Sequence, residues 1–104
     1  MKSLNFLELE DLIIKWSTDR KIIQNSNSKT QMLKAMSELG ELADAINKRD
    51  TAGIVDGLGD VIVCLINVAQ IEKIGSLEGC LTAAYNEIKD RKGYLNQYGV
   101  FIKE

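Results

Sequence analysis

Between Val61 and Ala69 the chain is apolar almost all the way round a helix, with Asn67 as the single polar interruption. A helix of that kind has to be covered on every side. The chain has 104 residues, no proline, 45% hydrophobic and 27% charged residues, a balance that predicts one globular domain over 1–104. Helix-favouring residues dominate, and sustained alternation is absent except near the C-terminus, so the expected class is all-α. A chain this short buries a limited share of its surface. Four short helices therefore leave the apolar one incompletely covered, and the rest of the cover is expected from a second subunit.

Periodicity and capping signals place the four helices. The first is expected from about Leu4 to Gln24, with Leu9, Leu12, Ile13 and Trp16 at the spacing of one buried face. Asn25 to Ser28 is a polar loop, and Ser28 with Gln31 makes a capping box for the second helix, which runs to about Lys48. Met32, Ala35, Met36, Leu39, Ala43 and Ile46 form its apolar, inward stripe; Gln31, Lys34, Glu38, Glu41 and Ala45 line the face beside it. Asp50 or Thr51 caps the third helix, from about Ala52 to Lys73. Its glycines at 53, 57 and 59 each cost roughly 1 kcal/mol against alanine. They signal either close helix approach or a later helix start. Ser76 caps the fourth helix, to about Lys92, with Leu81, Ala84, Tyr85 and Ile88 inward. Tyr94 to Lys103 is expected as a small hairpin or an extended arm packing on a neighbour.

Charge and cysteine usage narrow the function classes. A net charge of −2 gives no reason to expect a nucleic-acid partner. No apolar run reaches about 18 residues, so no membrane span is expected. Lys2 precedes an acidic amphipathic stretch rather than the apolar core of a leader, and the expected location is cytoplasmic. Cys64 and Cys80 stand far apart in apolar helical contexts and read as buried, reduced thiols. Histidine is absent, which removes imidazole catalysis and imidazole metal ligation together.

Carboxylates are what remains. Glu38 and Glu41 are three apart on one helix, and Asp56 and Asp60 four apart on the next, so each pair shares a face. A Glu-x-x-Glu pair alone is usually a solvated face. Two such pairs on consecutive helices, bordering apolar stripes, can instead hold a hard divalent cation, magnesium or manganese rather than zinc. Such a site suits a nucleoside triphosphate: the ion neutralises phosphate and acidifies a bound water, and a carboxylate accepts the water's proton. No protein nucleophile is apparent, since Ser37 has no histidine partner.

The run Lys34-Ala-Met-Ser-Glu38-Leu-Gly-Glu41-Leu, followed by Gly57-Leu-Gly-Asp60-Val-Ile-Val, resembles the MazG-like family of all-α nucleoside triphosphate pyrophosphohydrolases. The Trp16 context and the ending from Asp90 to Lys103 look like small phage or bacterial members. The resemblance implies a four-helix bundle completed as a homodimer or homotetramer. It also implies magnesium-dependent hydrolysis of a triphosphate to monophosphate and pyrophosphate. Glu38, Glu41 and Asp60 fit the family's Glu-x-x-Glu … Glu-x-x-Asp pattern. The third acid does not: Gly57 stands there, with Asp56 just before it as the substitute, and Ser37 stands where relatives often carry another Glu. Lys34, Lys89 and Arg91 are the expected phosphate contacts, and Asn67 and Asn86 further substrate contacts. A catalytically weak helical scaffold, favoured by Gly57, and a phosphoribosyl-nucleotide pyrophosphatase are the competing readings.

Overall fold

A computed structural model describes residues 3–104; Lys2 lies outside the described residues. The chain is all-α with one small hairpin: α1 (Phe6–Asp19), α2 (Ile22–Asn25), α3 (Ser28–Asn47), α4 (Thr51–Ile71), α5 (Leu77–Ile88), β1 (Gly93–Leu95) and β2 (Phe101–Lys103). Among the described residues five helices thus replace the expected four. The first expected helix breaks at Lys21, whose φ of 64° is left-handed, and resumes as the single turn α2. Arg49 and Lys73, with φ of 54° and 58°, end α3 and α4 in the same way.

The starts of the helices are built by side-chain caps. Asn5 and Glu8 form a capping box on α1. Asn27, rather than Ser28, caps α3, its Oδ1 accepting from the Thr30 amide at 2.8 Å. Ser28 is the first helical residue, and its hydroxyl donates to the Glu72 carboxylate at the far end of α4. Asp50 caps α4 through the Gly53 amide at 3.1 Å, so the glycines do not delay the helix start.

Close approach is what two of those glycines provide. α3 and α4 form an antiparallel pair, and Gly53 and Gly57 face α3. A Cβ at 57 would lie 2.9 Å from Leu42 Cβ and 3.2 Å from Leu42 Cα, and one at 53 would lie 3.0 Å from Ala45 Cβ. The face of α3 turned to α4 accordingly carries Gln31, Ala35, Leu42 and Ala45, with Glu38 half-buried. Of the expected inward stripe, Ala35 is buried, whereas Met32, Met36, Leu39 and Ile46 are between 41% and 61% exposed and Ala43 is exposed too. The same inversion holds elsewhere. Leu9, Leu12 and Trp16 on α1, and Leu81, Tyr85 and Ile88 on α5, are exposed, whereas Glu10 and Ser17 are buried. Cys64 is buried as expected but Cys80 is exposed; both are free thiols.

The exposed apolar side chains leave an open molecule. The radius of gyration is 16.1 Å, against about 13 Å for a compact chain of this length. The accessible surface is 7991 Å², roughly 2,000 Å² more than a compact monomer of 11.6 kDa presents. α4 is also, by length and a mean hydropathy of 1.8, apolar enough to cross a membrane, contrary to the expectation from the sequence. It carries Asp56, Asp60 and Asn67 and packs against α3 and α1.

Glu10 locks α5 to α1. Its carboxylate accepts from the amides of Leu77 and Glu78, while the Ser76 hydroxyl accepts from Gly79 at 3.0 Å, so the first three amides of α5, which have no partner within the helix, are all satisfied. Glu10→Ala strips two of those donors of their buried acceptor and is expected to cost about 2–3 kcal/mol. Glu10→Gln, which retains one carbonyl acceptor, is expected to lose less; urea unfolding of the pair measures the difference.

Candidate functional site

Antiparallel pairing of α3 and α4 brings the two acidic pairs together. Glu38, Glu41, Asp56 and Asp60 all line one cavity of about 390 Å³, with Asp44, Asp50 and Lys48 also on its walls. Gly57 forms part of its floor against Leu42. Glu38 is the least solvated of the four, its side chain 14% exposed, and Lys34 Nζ stands 3.6 Å from its carboxylate. Glu41, Asp56 and Asp60 are exposed. Among the described residues no three His, Cys, Asp or Glu side chains converge on one point as a metal cage. The donor set nevertheless fits a hard cation: it is all oxygen, and magnesium commonly takes one or two carboxylates and completes its shell with water and phosphate.

A larger cavity, about 650 Å³, adjoins the acidic one and shares Glu38 and Asp60 with it. Its walls bring together Trp16, Arg20, Lys21 and Lys34. The Arg20 guanidinium lies 4.3 Å from the centroid of the Trp16 ring, a cation–π contact between residues four apart at the end of α1. Below them runs a buried polar relay. The Ser17 hydroxyl donates to Asn67 Oδ1 at 2.7 Å, Asn67 Nδ2 donates to Gln31 Oε1 at 3.1 Å, and Gln31 Nε2 donates to Ser26 Oγ at 3.0 Å. Among the described residues no buried side-chain polar atom lacks a partner. Asn67 thus lines the cavity with both amide atoms already engaged, and its polarity inside the apolar helix is explained by the relay. Cys64 lies beside it; burial pushes its thiol up, with Glu38 and Asp60 adding to the rise against Lys34.

Asn86, Lys89 and Arg91 stand apart. α5 ends at Ile88, so Lys89 and Arg91 follow the helix instead of riding on it, and none of the three lines either cavity. Spacing along the chain places Gln31 on the face of Glu38 and Glu41 but does not single out Arg20, Lys21, Ser17 or Ser26. The signal for them is tertiary: Asn67 in an otherwise apolar helix demands polar partners, and those partners mark the cavity floor.

The family model for the MazG nucleotide pyrophosphohydrolase domain matches residues 26–93. The chain belongs to this family. MazG members are generally nucleoside triphosphate pyrophosphohydrolases and typically use divalent metals. The match spans α3, α4 and α5 and ends on the first residue of β1, so α1 and nearly all of the hairpin lie outside it. An uncharacterized 18.2 kDa protein in the rep-hol intergenic region of Haemophilus phage HP1 (strain HP1c1) is 32% identical over 65 residues. That similarity covers 62% of this chain and 40% of the phage protein, so the chain matches well under half of its relative's length. No solved structure matches the chain.

Proposed function

We propose that the chain hydrolyses a (deoxy)nucleoside triphosphate to the monophosphate and pyrophosphate, with magnesium (or manganese) bound by Glu38, Glu41, Asp56 and Asp60. The observation that carries this reading is the acidic cavity opening, through Glu38 and Asp60, into a cavity walled by Trp16, Arg20, Lys21 and Lys34. Polyphosphate lies at the junction and the nucleoside in the larger cavity. A cation held by these acids would neutralise phosphate charge and lower the pKa of the attacking water. Glu38 and Glu41 hold that water and take its proton. Lys34, already beside Glu38, meets the charge that grows on the leaving pyrophosphate. Asn67 fixes the floor under the nucleoside, and Asn86, Lys89 and Arg91 reach a substrate bound in another copy, since they miss the cavities of their own. The assembly is a homodimer or homotetramer and the protein works in the cytoplasm, without nucleic acid or membrane.

Purified protein incubated with a panel of triphosphates and magnesium is expected to release pyrophosphate and the matching monophosphate, and to stop when the metal is chelated. Release of single phosphates instead, or turnover insensitive to chelation, would overturn the reading. One observation favours a second one. Gly57 removes the third family acid, so a protein that binds nucleotide without turnover is the competing outcome of the same assay.

A further inference from the structure

The C-terminal hairpin is fully formed yet packs on no helix among the described residues. β1 and β2 pair antiparallel, with Tyr94 opposite Ile102 and Leu95 opposite Phe101. Asn96 closes the turn, its side chain accepting from the amides of Tyr98 and Val100, both at 2.9 Å. Directly opposed residues share a face, so each face of the ribbon carries an apolar pair. Tyr94, Leu95 and Phe101 are 61%, 69% and 50% exposed, and neither strand packs on a helix. A two-stranded hairpin standing alone in water is marginal at best and needs packing on another element. No helix among the described residues supplies that packing.

The same chain offers a matching seat. A groove of about 420 Å³ between α1 and α4 is lined by Phe6, Leu9, Ile13, Val55 and Ile62, and Asp56 and Asp60 also border it. It is apolar with an acidic edge. The ribbon is apolar with Arg91, Lys92 and Lys103 around its base, against Asp90 and Glu104. The surplus of roughly 2,000 Å² over a compact monomer is the area that each partner of an obligate dimer commonly buries. α1 and all of the hairpin except Gly93 lie outside the residues that the family model matches.

We infer that the hairpin is an exchange arm: the ribbon of one copy seats in the α1–α4 groove of a second copy, and the second returns the contact. Such an isologous pairing closes on itself. Lys92 and Lys103 then stand beside the partner's Asp56 and Asp60, so each acidic site is completed by a neighbour's cations. The inference stands on packing and not on the hydrolase reading, and the two fail separately.

Two full-length chains in a Cys80→Ser background test it, one carrying Leu9→Cys and the other, on a larger tag, Leu95→Cys. Co-expressed and mildly oxidised, they are expected to give a mixed disulfide between positions 9 and 95, identified by peptide mass. Cross-links between like positions only, or none, would overturn the proposal. Independently, Leu95→Ser with Phe101→Ser in the full chain is expected to weaken self-association at least tenfold by sedimentation, with helical circular dichroism unchanged. A parent protein that is monomeric, or variants that associate as tightly as the parent, would also overturn it. Neither measurement uses substrate, so a protein that never releases pyrophosphate still reports on the exchange of arms.

Discussion

Asp60→Asn is expected to lower pyrophosphate release at least about a hundredfold while leaving the fold in place. Asp60 is exposed, and the change swaps one oxygen for an amide nitrogen of the same shape, so stability is expected to move by no more than about 0.5 kcal/mol. What disappears is the charge at the junction. Asp60 and Glu38 are the two acids that line both cavities, and Glu38 is partly neutralised by Lys34. Removing Asp60's charge therefore weakens the hold on a cation where polyphosphate has to meet it. Asp44 provides the contrast. It lines the acidic cavity only and lies outside the two acidic pairs, so Asp44→Asn is expected to change the rate by a few-fold at most. Raising magnesium should recover part of the Asp60→Asn loss and nothing of an unrelated one. If Asp60→Asn turns over like the parent, or if the two variants fall together, the junction is not where the chemistry occurs.

The helices, the caps at Asp50 and Ser76 and the acidic pairs are legible in the sequence because they depend on local rules: period, short polar side chains and same-face spacing. The break after α1 is not. A left-handed lysine at position 21 carries no glycine or proline signal, and the hydrophobic stripe of α1 gives no warning of it. Burial departs from the periodicity for a different reason. Periodicity identifies the apolar stripes on α1, α3 and α5 but not which of them packs inside the chain. In α3 the partner helix α4 takes the Gln31–Ala35–Leu42–Ala45 face because Gly53 and Gly57 let it come close there. Met32, Met36 and Leu39 are left pointing outward. The cavity beside the acids has no local signature because its floor depends on Ser17, Gln31 and Asn67 meeting across 36 and 50 residues of chain.

Gly57→Glu puts back the acid that the family pattern carries at this position, yet it is expected to destabilise the protein by about 1–3 kcal/mol without raising activity. Replacing a helical glycine gains at most about 1 kcal/mol from propensity. Against that stands the seam with α3. Gly57 is buried, and a Cβ there would meet Leu42 Cβ at 2.9 Å, Leu42 Cδ1 at 3.1 Å and Leu42 Cα at 3.2 Å. Rotating the leucine side chain clears Cδ1 but moves neither Cβ nor the backbone. α3 and α4 have to separate, and overpacking of this kind typically costs about 1–3 kcal/mol. The glutamate then adds a carboxylate to a seam already walled by Glu38, Glu41, Asp56 and Asp60, so like charges oppose it as well. Gly57→Ala isolates the packing cost from the charge and is expected to fall between the parent and Gly57→Glu in thermal unfolding. A Gly57→Glu protein that melts higher than the parent and hydrolyses faster would show that the helices part without penalty. In that case Asp56 does not stand in for the family's third acid, and position 57 is its proper place.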